Sequence, residues 1–147
     1  MTVFKMRCAI GADDVGPLTD ALLAELEKRG VEITTFGAVH DPNEKEWASI
    51  GRAVGDEVAA GRADVGIVCC WTGTGISIAA NKIAGVRAAL CADAVTAEGA
   101  RKWNDANVLA LSLRATSPAV GIEILDAFLT TAASEDASDR HSIAALE

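Results

Sequence analysis

Five short apolar runs, each separated from the next by a longer segment of helical spacing, constrain this chain more than any other feature. Met6 to Ala12 is apolar apart from Arg7 and ends at Asp13-Asp14 and Gly16, which reads as a buried strand opening into a turn. Val31 to Phe36 alternates as a strand does, Val65 to Cys70 is apolar apart from one glycine, and Ala88 to Cys91 and Val108 to Leu113 complete the set. Between them Leu18, Leu22, Leu23 and Leu26 recur at helical spacing up to Arg29-Gly30. Trp47, Ile50, Val54 and Val58 fall on one helical face before Gly61. Thr72-Gly73-Thr74-Gly75 leads into a helix of Ile76, Ile78, Ala79 and Ala80, and another helix is expected from about Thr96 to Trp103. Pro118 opens a last one through Val120, Ile124, Leu125 and Phe128.

Strands apolar on both faces and joined through helices call for a parallel sheet covered on both sides. The expected fold is α/β, a flavodoxin-like three-layer sandwich around a five-stranded parallel sheet of order 2-1-3-4-5. Ligands of such sheets lie outside the carboxyl ends of strands 1 and 3, where the winding direction reverses. Those ends carry Asp13-Asp14 and Cys70 to Gly75.

With 147 residues, half of them hydrophobic, the chain has material for one substantial core. Residues 1–133 form the expected single domain, and the polar, small-residue stretch 134–147 is a flexible tail or one that docks on a partner subunit. Thirteen Lys+Arg against 21 Asp+Glu leave a formal charge of -8, and no basic run is interleaved with aromatics, which argues against nucleic acid and anionic membranes as main partners. No signal peptide and no membrane span is legible, so the expected compartment is the cytoplasm. Cys8, Cys69, Cys70 and Cys91 lie within or at the ends of apolar runs, as reduced thiols do, and their spacing suits neither a redox pair nor a metal site. Cys69 and Cys70 point to opposite faces of their strand.

Cys70 closes a strand and precedes a glycine-rich turn at a helix start, where exposed amides and the helix dipole favour negative charge. It is either a small packed hydrophobe or a reactive thiol. Thr72-Gly73-Thr74-Gly75 is a poor nucleotide motif, because the third glycine of a dinucleotide loop is Ile78 and no Gly-Lys-Ser/Thr follows. A thiol beside such a turn, without the histidine that a Cys-His nucleophile needs, suits proton abstraction next to a carbonyl.

Cys70 to Lys82, Gly85 to Ala89, Asn104 to Ala110, and the flanking Ile10-Gly11-Ala12-Asp13 and Arg140-His141 together resemble the ribose-5-phosphate isomerase B and galactose-6-phosphate isomerase family over nearly the whole chain. The resemblance implies a Rossmann-like homodimer, or dimer of dimers, with a shared active site. It implies interconversion of aldose and ketose phosphates through an enediolate; no cofactor and no metal are expected. Carried over by position, Cys70 is the base and Thr72 its hydroxyl partner, while amides from Trp71, Thr72, Gly73, Thr74 and Gly75 hold the oxyanion. Asp13 and Asn104 bind sugar hydroxyls, and Arg114 and Arg140 face the phosphate, with Arg140 a candidate contribution from the other subunit.

Several positions depart from the family pattern. Asp14 stands where a histidine is usual after strand 1, Trp71 where a glycine follows the cysteine, and Trp103 where the ring-opening histidine precedes the Asn-Asp pair. Ala144 replaces a second arginine, and Glu46-Trp47-Ala48 replaces an Asp-Tyr-Pro segment. The expected consequence is retained proton transfer on an altered substrate: an open-chain sugar phosphate such as a tetrulose phosphate, or a non-phosphorylated sugar. Two other readings compete. A catalytically impaired subunit would have its pocket filled by Trp71, and a receiver-like signalling domain would need an aspartate and a lysine where Cys70 and Arg114 stand.

Overall fold

The computed structural model describes residues 4–147. In chain order the elements are β1 (Arg7–Ala12), α1 (Pro17–Lys28), β2 (Glu32–Gly37), α2 (Trp47–Ala59), β3 (Val65–Cys70), α3 (Thr74–Asn81), β4 (Ala88–Leu90), α4 (Ala94–Asn104), β5 (Val108–Ser112), α5 (Pro118–Thr130) and α6 (Ala137–Ala144). Local chemistry sets several starts. Pro17 and Pro118 open α1 and α5, Ser117 caps α5 by accepting from the Val120 amide, and Asp93 accepts from the Thr96 amide at 2.7 Å. That cap starts α4 two residues before Thr96.

All strand pairs are parallel, and the order is β2-β1-β3-β5-β4. This corrects the expected order 2-1-3-4-5. β5 is buried over Val108 to Leu111 and fits between two neighbours. β4 has only three residues, and none of them is fully buried. A short, half-exposed strand is stable at an edge, whereas a central position would leave the longer strands beside it with unpaired backbone. The neighbours β1 and β3 are unaffected, so the switch point stays where the sequence placed it.

Two cores flank the sheet. On one face Leu22, Leu26, Ile124, Leu125 and Phe128, with Ala97 and Ala100, pack α1, α4 and α5 onto Ile10, Ile67, Cys69, Leu109 and Leu111. On the other, Ile50, Val54, Val58, Ile76 and Ala80 pack α2 and α3 onto Ala9, Val68, Cys70, Val108 and Ala110. Each fully buried Leu, Ile or Phe contributes roughly 1.5–3 kcal/mol.

The segment expected as a polar tail contains α6. Asp136 caps it through the Ser138 amide at 2.9 Å, no residue of it is buried, and it packs against α4. No helix among the described residues is long and apolar enough to cross a membrane.

Candidate active site

The candidate site is assembled from the carboxyl ends of β1 and β3 and the amino ends of α2 and α3. Side-chain alternation along β3 sends Cys69 into the α1/α4/α5 layer and Cys70 into the α2/α3 layer. Cys70 is the last residue of its strand, so its thiol reaches the rim of the sheet. There Asp13, Trp47, Cys70, Trp71, Thr72, Thr74 and Gly75 line a cleft of about 240 Å³. Trp71, 63% exposed, forms part of the wall rather than filling the space.

The turn after Cys70 depends on Gly73. Its φ of 78° is left-handed, and a Cβ there would lie 2.9 Å from the Leu111 backbone, so only glycine brings the chain round this tightly. Among the described residues, the amides of Thr72, Gly73, Thr74 and Gly75 donate to no protein acceptor. Helix starts leave such donors open, and here they add to the positive end of the α3 dipole. The Thr72 and Thr74 hydroxyls share a hydrogen bond of 2.8 Å. The opposite side of the turn is pinned to the end of β5. The Cys70 carbonyl accepts from the Leu113 amide at 2.9 Å, and the Trp71 carbonyl accepts from the Arg114 amide at 3.0 Å and from Ser112 Oγ at 2.9 Å.

The acidic pair differs internally. Asp13 is half-buried; its carboxyl is held above the usual range chiefly by burial, with the adjacent Asp14 adding to the shift and its own backbone amide and Lys45 opposing it. Asp14 is exposed; it accepts from the Val15 amide at 2.9 Å and lies 4.0 Å from Lys45 Nζ. Burial pushes the Cys8 and Cys69 thiols up to about 12 and the Cys91 thiol up to about 11, which suits inert core residues. Cys70 is the one cysteine lining the cleft with Asp13. Among the described residues no three His, Cys, Asp or Glu side chains converge to hold a metal ion.

Residues 8–145 match the Ribose/Galactose Isomerase family. This chain belongs to it. Among its relatives in the Ribose/Galactose Isomerase family, ribose-5-phosphate isomerase B of Escherichia coli is 40% identical over 124 residues, covering 84% of this chain and 83% of that one. D-erythrulose-4-phosphate isomerase of Pectobacterium atrosepticum is 35% identical over 127 residues, covering 84% and 82%. The structure of the type B ribose 5-phosphate isomerase of Trypanosoma brucei superposes with a TM-score of 0.90 at 38% identity, covering 97% of both chains.

Within one chain of this family member, the expected site residues fall into two groups. Asp13, Cys70 to Gly75 and, in the exposed turn beside them, Asp14 gather at the carboxyl rim. Arg114 lines an adjoining cleft of about 290 Å³ that meets the first at Thr72. Trp103, Asn104 and Arg140 do not reach them. A helix that follows a parallel strand runs back along it, so Asn104, the last residue of α4, lies near the amino end of β5. There it borders a separate cleft with Asn81, Arg87 and Leu146. Trp103 is 59% exposed with its ring over Gly99, and Arg140 sits on α6 beside α4.

Three residues at the carboxyl rim escaped the sequence reading. Trp47 shares a helical face with Ile50, Val54 and Val58, yet it is 46% exposed and its ring packs against Gly75 across the cleft. Its place in the segment that replaces Asp-Tyr-Pro was the available signal. Lys45 had only its position beside that segment, and Ser112 had none beyond being the one polar residue in an apolar strand.

Proposed function

We propose that this chain is an aldose-ketose isomerase that uses Cys70 as the base in a two-step proton transfer. The observation that carries the reading is the convergence, in one cleft, of the Cys70 thiol, the hydrogen-bonded Thr72-Thr74 pair and a row of unpartnered amides. Cys70, as thiolate, takes the proton from the hydroxyl-bearing carbon next to the carbonyl, and the electron pair moves onto the carbonyl oxygen to give an enediolate. The amides from Trp71 to Gly75 hold that oxyanion, Thr72 supports the exchange of hydroxyl protons, and Cys70 returns its proton to the neighbouring carbon. Asp13 binds a sugar hydroxyl and Arg114 the phosphate.

The active unit in this reading is a homodimer, or a dimer of dimers, in which the partner subunit brings its α4 end and α6 to the cleft. Asn104 and Arg140 are then supplied in trans, which accounts for their distance from Cys70 within one chain. Residues 1–133 act as the catalytic domain, residues 134–147 as a segment that reaches the neighbouring site, and the cytoplasm is the compartment. No cofactor takes part.

The substrate is a short, open-chain sugar phosphate. Trp103 supplies no imidazole for opening a ring, and a tetrulose phosphate needs none. The relative named D-erythrulose-4-phosphate isomerase supports this choice. The test is solvent deuterium exchange at the carbon next to the carbonyl, across four- to six-carbon aldoses and ketoses with and without phosphate. Tetrulose phosphates should exchange fastest, and Cys70→Ser should lower the rate by about 10²–10⁴-fold. Full-rate ribose 5-phosphate turnover that Cys70→Ser abolishes would refute the altered substrate and keep the base. Exchange at the wild-type rate in Cys70→Ser would remove the base, and no exchange with any sugar would leave an impaired partner subunit.

A further inference from the structure

Resting on the isomerase reading of the cleft, we infer that Ser112 is a positioning residue whose hydroxyl fixes the Trp71–Thr72 peptide and so presents the Thr72 amide to the substrate oxyanion. Ser112 ends β5 and stands in register with Cys70. Four apolar, buried residues precede it, so nothing in the packing of the strand asks for a hydroxyl there.

That hydroxyl makes two bonds. Ser112 Oγ donates to the Trp71 carbonyl at 2.9 Å and accepts from the Ala115 amide at 3.0 Å. The Trp71 carbonyl accepts a second hydrogen from the Arg114 amide at 3.0 Å. Two donors on one carbonyl hold the plane of its peptide, where a single donor lets the plane rock about the bond.

The direction follows from peptide geometry. In a trans peptide the carbonyl and the following N–H point opposite ways. With the Trp71 carbonyl turned toward residues 112–114, the Thr72 N–H points away from β5. β3 lies between β5 and β1, so the side away from β5 is the side of β1, where Asp13 follows the strand and lines the cleft with Cys70. Among the described residues the Thr72 amide has no protein acceptor, which leaves it free for an oxygen in that cleft. Ser112 does not line the cleft that holds Cys70 but the adjoining one with Arg114, and its effect on the oxyanion passes through the Trp71 carbonyl.

Ser112→Ala removes one of the two donors at a water-accessible rim, where solvent can satisfy the carbonyl, so folding is spared while the amide loses its aim. Deleting an oxyanion donor outright costs about 10²–10³-fold in kcat, and loosening one costs less, here about tenfold. Ser112→Thr keeps the hydroxyl and should restore the rate to within about threefold of wild type.

The experiment compares wild type, Ser112→Ala and Ser112→Thr in deuterium exchange and in steady-state isomerisation of erythrulose 4-phosphate and ribose 5-phosphate, with thermal midpoints recorded. The expected result is a tenfold fall in kcat for Ser112→Ala at nearly constant KM and midpoint, and recovery in Ser112→Thr. A raised KM at constant kcat would overturn the inference, because Ser112 would then act through Ala115 and Arg114 on binding. Wild-type kinetics in Ser112→Ala, or an equal loss in Ser112→Thr, would overturn it as well. Wild type that exchanges neither sugar sinks the isomerase reading, and this inference with it. Wild type that exchanges while Ser112→Ala is unaltered sinks this inference alone.

Discussion

The two ends of the sheet treat their polar groups in opposite ways. At the carboxyl rim, among the described residues, four consecutive amides are left without acceptors, Asp13 is held partly desolvated, and Asp14 and Lys45 form a loose ion pair. At the amino rim the charged groups around Asp105 and Asp64 are paired. Asp105 adopts a left-handed φ of 46° and is bound by two arginines: Arg87 donates to its carbonyl at 2.7 Å, and Arg101 to its carboxylate at 3.1 Å. Arg87 also reaches Glu147 at 2.7 Å, which ties the last residue of the chain to the same cluster. Nearby, Asp64 takes both the amide and the guanidinium of Arg7. Open donors invite a ligand, whereas saturated ones hold a backbone still. The carboxyl rim thus leaves donors open, and the amino rim ties the turn after Asn104 down through Asp105.

Mixing two inactive variants breaks this comparison most severely if it is wrong. Cys70→Ser and Asn104→Ala lie at opposite rims, so a shared site predicts that unfolding and refolding them together restores about a quarter of wild-type activity, from mixed dimers with one intact site. Measured exchange no greater than the sum of the two variants would confine each site to one chain.

Gly73→Ala tests how far the open amides depend on the turn. The left-handed backbone alone costs about 1–2 kcal/mol, and the contact with the Leu111 backbone adds to it. Exchange activity should fall further than the urea-unfolding midpoint accounts for. A stable variant with full activity would show that the turn tolerates a second geometry.

Asp105→Ala should cost about 1–3 kcal/mol, since two mostly buried arginines lose their shared anion and alanine must adopt the strained φ. Asp105→Gly separates the two effects: it relieves the backbone and still removes the charge. Calorimetry that finds glycine as stable as aspartate would assign the site's value to φ alone.

The smallest effect is a pH dependence at Asp64. The Arg7 side-chain hydrogen bond is the main reason its carboxyl lies below the usual range, with burial opposing and the Arg7 amide assisting. A lowered folded value means that its stabilisation is complete above the unfolded value of about 3.9, and is lost as pH falls through the lower folded value. The difference in urea midpoint between Asp64→Asn and wild type should therefore be constant near neutrality and vanish in acid. A difference that persists there would place the effect in packing.

Some of this architecture was legible residue by residue. Ile10, Ile67 and Leu109 announced buried parallel strands, and the glycines after Cys70 announced a tight turn opening a helix, because both are local consequences of side-chain pattern and backbone freedom. The position of Asn104 was legible in principle too, since a crossover helix returns to the amino end of the sheet. The order of β4 and β5 was not. It turns on a competition between two strands for one central place, and the three residues of β4 lose because they are half-exposed. Nor was Trp47: helical spacing assigns it to the face of Ile50 and Val54, but only the docking of α2 on the sheet shows that the first turn overhangs the rim.

The sequence by itself determined the fold class, the switch point, the thiol-and-glycine turn and the family, for these rest on short-range patterns that survive in any arrangement of the helices. The tertiary structure alone decided the strand order, the indole of Trp47 against Gly75 and the two donors on the Trp71 carbonyl. Each of those is a contact between segments far apart in the chain, and no local pattern encodes which distant surface a residue will meet.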